Sequence, residues 1–224
     1  MLLFFSLVAC TGTPSNNDDS GDSGTDSGDA VTSCLSFHGI QSDSSKWKHV
    51  YDSTSYSDDS VWNIEVTAYD PVAGTATLQT LDFRTYANGA NSQDNLYDYD
   101  YFCNEEGLFL TELRQDNHTT QNGVETDGTN TYEYDPPMLV RPGSLAVGDT
   151  WRSQSDYVAT NQDGNHSTGQ VDSEYVVAAA DVTEGEWTGF QVDLMSDGTA
   201  YPRYFKADVG EFQNGFRILE SYTP

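Results

Sequence analysis

The side chains that most often carry catalysis or bind metals are few in this sequence, and their spacing suits neither role. The four histidines are His38, His49, His118 and His166, and none forms the His-x-His or His-x-x-x-His pair that is typical of a local zinc site. The sequence also lacks a Gly-x-Ser-x-Gly elbow, a phosphate-binding loop and a dinucleotide fingerprint. We therefore expect a protein that is not an enzyme and that uses no metal and no cofactor.

Acidic side chains dominate the composition. The chain has 36 Asp and Glu residues against 9 Lys and Arg residues, a formal net charge of −27. Such a negative molecule repels phosphate backbones, which argues against nucleic acid as a partner. The carboxylates could form a solvated shell or bind divalent cations such as calcium, and both readings stay open. A carboxylate-based hydrolase is a further alternative, although no particular pair of acids stands out.

The first ten residues have the pattern of an export signal. Residues 2–9 (LLFFSLVA) are apolar, but the run is shorter than the roughly 20 residues that span a bilayer. The segment LVAC at residues 7–10 resembles the bacterial lipobox. That resemblance implies a signal peptide over residues 1–9 and a lipid on Cys10, which would anchor the protein to a membrane of the cell envelope, by our expectation the outer membrane. The sequence departs from the family pattern because no Lys or Arg precedes Lys46.

Residues 10–33 are expected to form a flexible tether. Asp, Ser and Gly dominate this segment, and apolar residues are nearly absent. Such a composition cannot bury enough apolar surface to offset the entropy lost on ordering, so we expect disorder. The repeated Asp-Ser-Gly units do not have the spacing of an EF-hand calcium loop.

Two cysteines remain once Cys10 is assigned to the lipid. An exported protein folds in an oxidising compartment, where the remaining pair, Cys34 and Cys103, is expected to form a disulfide. The alternative is two buried free thiols. A metal site based on these cysteines is not expected, because no His or third Cys lies at ligand spacing from either.

Residues 34–224 have the pattern of a β-rich domain. The segment VWNIEVTAY at residues 61–69 alternates, which places Trp62, Ile64 and Val66 on one face of a strand. No stretch shows a helical period over three turns. Further strands are predicted over residues 75–83, 108–114, 150–158, 174–180, 189–194 and 216–222. Many strands at short intervals favour an antiparallel sheet, a sandwich or an open barrel.

Two short motifs in the second half of the chain resemble periplasmic β domains. Residues 145–151 (LAVGDTW) look like a Val-Gly turn that leads into a Trp-bearing strand, and residues 204–210 (YFKADVG) look like a segment near the end of such domains. The loosely related families concerned resemble the lipoprotein-carrier fold. The match covers about 80 residues and departs at Asp208, where Gly is frequent. It implies a curved antiparallel sheet that forms a half-barrel, and it implies no enzyme activity.

The domain also shows a faint internal repeat. Tyr101, Gly107 and Phe109 recur 103 residues later as Tyr204, Gly210 and Phe212. The spacing suggests two related halves, at residues 34–135 and 143–224, with shared strand-and-turn chemistry as the alternative explanation. If the halves are related, Gly107 and Gly210 should both sit where a Cβ is unwelcome.

Aromatic side chains offer the best candidates for ligand binding. We expect a non-enzymatic envelope lipoprotein that binds an apolar or envelope ligand, in a cavity whose lining is Trp62, Ile64, Val66, Phe190 and Val192. A carbohydrate-binding module is the alternative, and it requires exposed tryptophans, above all Trp47 and Trp187. Residues 97–101 (YDYDY) should place three tyrosines on one strand face and two aspartates on the other. Oligomeric state is left open by these patterns.

Overall fold

The computed structural model describes residues 34–52, 55–57, 60–87 and 91–224. Cys10, the apolar leader and the predicted tether lie outside the described residues. A short helix covers residues 34–37. The twelve strands are β1 Lys46–Tyr51, β2 Val61–Asp70, β3 Thr75–Thr85, β4 Asn91–Cys103, β5 Gly107–Gln121, β6 Val124–Pro142, β7 Thr150–Asn161, β8 His166–Glu184, β9 Trp187–Ser196, β10 Thr199–Lys206, β11 Gly210–Asn214 and β12 Arg217–Thr223. The prediction of a mainly β domain is confirmed.

The sheet closes into a barrel. Each strand pairs antiparallel with the next one in sequence, and β1 pairs with β12, with Trp47 opposite Tyr222. The predicted half-barrel is therefore wrong. An open sheet would leave two edges whose N–H and C=O groups lack partners, and the β1–β12 ladder removes both of them.

Strand β6 runs through the segment between the two proposed halves of the domain. Pro136 and Pro137 look like breaks in the sequence, yet they lie within this 19-residue strand. The β5–β6 register jumps there, from Leu110 opposite Met138 to Glu112 opposite Glu133. The prolines thus fall in a bulge whose residues do not pair with β5, so β5 loses no hydrogen bond through their missing N–H groups.

The two faces of the sheet differ in chemistry. Outward carboxylates accept hydrogen bonds from side chains on neighbouring strands, as Asp100 does from Thr77 (2.7 Å) and Asp98 from Gln79 (2.9 Å). Tyr97, Tyr99 and Tyr101 lie on the opposite face, as predicted, and the structure shows that this face is the inner one. No helix in the described part of the chain is long and apolar enough to cross a membrane.

The start of the domain plugs one end of the barrel. Leu35 and Ile40 are almost fully buried in an apolar cluster with side chains from one end of the barrel: Trp47, Val66, Ala76, Leu108, Val209, Phe212 and Leu219. The predicted disulfide joins Cys34 to Cys103, with the Cα atoms 6.0 Å apart. It ties the plug to the end of β4, and closing a loop of this length contributes roughly 4 kcal/mol of stability in the chain-entropy account.

The two glycines of the internal repeat occupy matching places. Gly107 begins β5 and Gly210 begins β11, six strands later. Both have positive φ, 149° and 98°, and a Cβ would overlap the Arg141 carbonyl at Gly107 and press on the His38 carbonyl at Gly210. The expectation that a Cβ is unwelcome at both is confirmed. Both halves contribute strands to one closed barrel. Their common origin stays a prediction.

Candidate ligand-binding cavity

A cavity of about 330 Å³ lies inside the barrel between the plug and the middle of the strands. His38 and Ile40 of the plug contribute to its wall. A second cavity of about 520 Å³ continues toward the other end of the barrel, and the two share Trp62, Tyr99 and Arg217 among their lining residues. Volumes of this size are those of small-molecule sites.

Arginine side chains concentrate inside the barrel. Four of the six arginines of the chain, Arg84, Arg141, Arg203 and Arg217, line the two cavities. The only carboxylates among the lining residues are Asp82 and Glu211. The described lining therefore carries a formal charge of +2, inside a chain whose total charge is −27. This local excess of positive charge is the feature that sets the interior apart.

The excess positive charge lies in the cavity next to the plug. Glu211 lies 3.7 Å from Arg141 and 3.8 Å from Arg203, so a single carboxylate faces two guanidinium groups at long ion-pair distances. Burial lowers the pKa of Arg141 despite the nearby Glu211, and Arg203 lowers it further. Arginine nevertheless stays protonated at neutral pH. Together with Arg217, these two arginines give the cavity three guanidinium groups beside a single carboxylate.

Arg217 has no carboxylate within ion-pair distance among the described residues. Its guanidinium lies 3.1 Å from the centroid of the Trp62 ring, which holds the group by a cation–π contact. Burial lowers the pKa of Arg217. The guanidinium therefore offers donors to the cavity without an anion of its own.

Apart from Arg217, which both cavities share, the charged side chains of the cavity toward the other end balance each other. Arg84 donates to Asp82 at 2.7 Å, and the Tyr51 hydroxyl donates to the same carboxylate at 2.5 Å. Burial and the hydrogen bond to Asp82 raise the pKa of Tyr51. Asp82 and Arg84 neutralise each other, so this part of the barrel adds polarity but no net charge.

Two further donors in the cavity wall lack partners within the described residues. Neither ring nitrogen of His38 nor the indole N–H of Trp62 makes a hydrogen bond there. Burial lowers the pKa of His38 well below its usual value, so the ring is neutral and offers one donor and one acceptor. Buried polar groups normally have partners, and the Trp62 N–H, in the wall that the two cavities share, is available to an acceptor on a bound molecule. One His38 ring nitrogen instead lies within 4.8 Å of the Cys34 and Cys103 sulfurs.

A ladder of tyrosines forms another wall. Tyr97, Tyr99 and Tyr101 on β4 stack in sequence, with centroids 6.0 Å apart at both steps and interplanar angles of 28° and 10°. Burial raises the pKa of Tyr99 and of Tyr101, so their hydroxyls stay protonated. The ladder provides flat, neutral surface next to the arginines.

The structure separates the predicted lining residues into three places. Trp62 and Ile64 line the cavity next to the plug, and Val66 lies in the apolar cluster of the plug. Phe190 and Val192 face inward on β9 but belong to a second apolar cluster, with Trp151 and Val177. The structure thus brings together the β2 residues with the plug, and leaves the β9 residues apart from the cavity.

The residues that the alternative functions need are covered, paired with arginine or exposed away from the cavity. Trp47 is 5% exposed and its indole donates to the Val209 carbonyl, while Trp187 is half-buried and donates to the Leu219 carbonyl. Neither presents the exposed face that the carbohydrate alternative required. Asp82 and Glu211 each face arginine rather than another acid. His118 is exposed and contacts Asp127.

The arginines were missed by the sequence reasoning. The strong negative charge drew attention to acids, and each arginine is a single basic residue with no other basic residue directly beside it in the sequence. One signal was present: Arg203 has the same alternation phase as Phe205, and Arg84 the same phase as Leu78 and Thr80. An arginine in the buried phase of a strand is a candidate ligand contact, because buried charges are rare without a partner.

Comparisons with protein-family models, with curated proteins and with solved structures give no match to this chain.

Proposed function

We propose that this protein is a non-enzymatic binding protein that holds a small anionic ligand inside its barrel. The observation that carries the proposal is the group of three arginines around a single glutamate in the cavity next to the plug. The proposal narrows the expected apolar or envelope ligand to a charged one, because the cavity wall mixes aromatic rings with charged donors.

A purely structural role accounts poorly for this arrangement. A buried ion pair adds little net stability even when its charges balance, because desolvation offsets most of the attraction. Here the charges do not balance, and Arg203 lies close enough to lower the pKa of both Arg141 and Arg217. A barrel selected only for stability would pack apolar side chains here. A bound anion would compensate the mutual repulsion.

Size supports a compact ligand. A cavity of about 330 Å³ lies at the lower end of the range for small-molecule sites. The plug closes the barrel beneath it, and Leu35 and Ile40 leave little room for a long acyl chain. The part of the ligand next to the plug is therefore a small charged group rather than an acyl chain.

The test is a titration of the full-length chain with benzenesulfonate and with benzenesulfonamide, its neutral relative of similar shape. We expect benzenesulfonate to bind at least about tenfold more tightly, since a guanidinium–anion pair contributes more than a neutral hydrogen bond. Isothermal titration calorimetry gives both affinities. Equal binding of the two compounds would contradict the proposal.

A matched pair of variants places the site. Arg217→Gln should weaken benzenesulfonate binding, because Arg217 lines the cavity and has no carboxylate of its own. Arg152→Gln removes the same charge from the outer surface, where Arg152 pairs with Asp172 at 2.8 Å, and should leave binding unchanged. Equal losses in both variants would show that the anion binds by general attraction and not inside the barrel.

We also propose that the barrel is held at the cell envelope by a lipid on Cys10, with residues 11–33 as the tether. The lipobox-like segment LVAC and the Asp/Ser/Gly composition support this. Mass spectrometry of the N-terminus of protein extracted from membranes tests it. An unmodified Cys10 would refute the anchor and leave the ligand proposal standing.

A further inference from the structure

We infer that the ligand is a planar ring that carries a doubly charged anionic group, such as a phosphomonoester, with this group at the three arginines and the ring beside Trp62 and Tyr99. This inference rests on the proposed anion-binding function and adds the charge and shape of the ligand.

The number of charges follows from the count in the cavity next to the plug. Arg141, Arg203 and Arg217 contribute three positive charges and Glu211 one negative charge. A singly charged ligand would leave one positive charge uncompensated in a buried site, whereas a doubly charged ligand neutralises it. The balanced Asp82–Arg84 pair in the neighbouring cavity does not alter this count.

The geometry of the donors suits a group with several terminal oxygens. Arg141 and Arg203 approach from β6 and β10, and Arg217 approaches from β12. Guanidinium forks from three directions match a phosphate group, which presents three acceptor oxygens and nearly two negative charges at neutral pH. The Trp62 N–H provides an additional neutral donor in the same wall.

The flat part of the ligand follows from the rings that surround these charges. Trp62, Tyr99 and Tyr101 all line the cavity, and Tyr99 and Trp62 also line the space that continues beyond it. Arg217 already lies against the Trp62 ring, so an anion at Arg217 places its attached group beside Tyr99. Aromatic walls favour a planar ring over a flexible chain, since flat rings pack and stack well against them.

Three probes test the two parts of the inference at pH 8 with the full-length chain. Phenyl phosphate has a ring and two charges, phenyl sulfate has a ring and one charge, and inorganic phosphate has two charges and no ring. We expect phenyl phosphate to bind about tenfold more tightly than either of the others, measured by calorimetry. Phenyl sulfate binding as tightly would overturn the double charge, and inorganic phosphate binding as tightly would overturn the ring.

Variants separate the two contributions. Arg217→Gln should remove most of the preference for phenyl phosphate over phenyl sulfate. Tyr99→Leu should remove most of its preference over inorganic phosphate, while Tyr99→Phe, which keeps the ring, should preserve that preference. If Tyr99→Leu does not fold, a Tyr99→Phe variant that binds phenyl phosphate no better than inorganic phosphate would still overturn the ring assignment.

Failure here is distinguishable from failure of the proposed function. If benzenesulfonate binds through Arg217 but phenyl phosphate gains nothing over phenyl sulfate, the barrel is an anion-binding protein with a different ligand class. If benzenesulfonate and all three probes fail to bind, the proposed function itself is wrong.

Discussion

Replacing Glu211 by Gln should weaken the fold and strengthen anion binding at the same time. The change removes one negative charge and keeps the shape of the side chain. Asn214 donates to the Glu211 carboxylate at 2.8 Å, and a Gln amide oxygen can accept the same bond. The substitution therefore isolates the charge, and its two expected effects have opposite signs.

The loss of stability can be estimated from the two ion pairs. Glu211 lies 3.7 and 3.8 Å from the guanidinium nitrogens of Arg141 and Arg203, and both pairs are largely shielded from water. Breaking a buried pair typically costs 3–5 kcal/mol; the distances here are long, so we expect about 3 kcal/mol. For a domain of this size that corresponds to a fall in melting temperature of roughly 6–12 °C.

The gain in affinity follows from the same charges. Without Glu211 the charge of the cavity next to the plug rises from +2 to +3. A dianion then meets a stronger attraction and no repulsion from the carboxylate. At the effective dielectric constant of such sites one charge a few ångströms away contributes several kcal/mol before screening, so a tenfold tighter binding of phenyl phosphate is a conservative expectation.

Thermal unfolding and calorimetry measure both effects, with and without phenyl phosphate. Saturating ligand should restore much of the lost melting temperature, since about 100 times the dissociation constant adds roughly 2.7 kcal/mol. Glu220→Gln is the control, because Glu220 pairs with Lys48 on the outer surface and should change stability by less than about 1 kcal/mol. If Glu211→Gln loses stability without binding anions more tightly, Glu211 is a structural partner only and the ligand argument fails.

Two further predictions concern the plug and the β10–β11 turn. Burial lowers the pKa of His38, so the unfolded chain binds a proton more readily than the folded chain and the free energy of unfolding should fall as pH drops below about 6.5. Urea unfolding midpoints at pH 7.5 and pH 5 should therefore fall less for His38→Gln than for the unchanged protein. An equal fall in both proteins would refute this role of His38. Gly210→Val should destabilise the domain by roughly 1–3 kcal/mol more than Gly123→Val in the same assay. Both glycines have positive φ, but only at Gly210 would a Cβ approach a carbonyl and an indole. Equal losses of stability would show that backbone strain alone matters.

Most of the strands could be predicted, but β1, β6, β10 and β11 were missed and the closure of the barrel could not be foreseen. Alternation marks a strand such as β2 because residues that face inward and residues that face outward differ in polarity along one continuous segment. Closure depends on β1 meeting β12, where Trp47 lies opposite Tyr222 far along the chain. No local pattern records which distant strand supplies that edge. The resemblance to half-barrel families therefore led to the correct class of fold and the wrong architecture.

The candidate site was predicted only in part, for a related reason. Trp62 and Ile64 were found because they are apolar and in phase on one strand, and the structure places both in the cavity wall. The arginines come from four different strands, and each is isolated in sequence. Only the folded barrel shows that Arg141 and Arg203 flank Glu211 and that Arg217 lines the same cavity. A site assembled from single residues of distant strands leaves no motif.

The opposition between the outer surface and the cavity bears on how selective the barrel can be. A chain of net charge −27 repels anions at long range, so general attraction cannot concentrate them at the surface. This repulsion is screened within about 8–10 Å at ordinary salt, whereas a buried cluster such as Arg141, Arg203 and Arg217 is screened much less. Salt therefore reduces the barrier to entry more than it reduces the attraction inside. The acidic exterior repels all anions alike, and under the proposed function only a ligand that reaches the three arginines gains enough attraction to offset that repulsion.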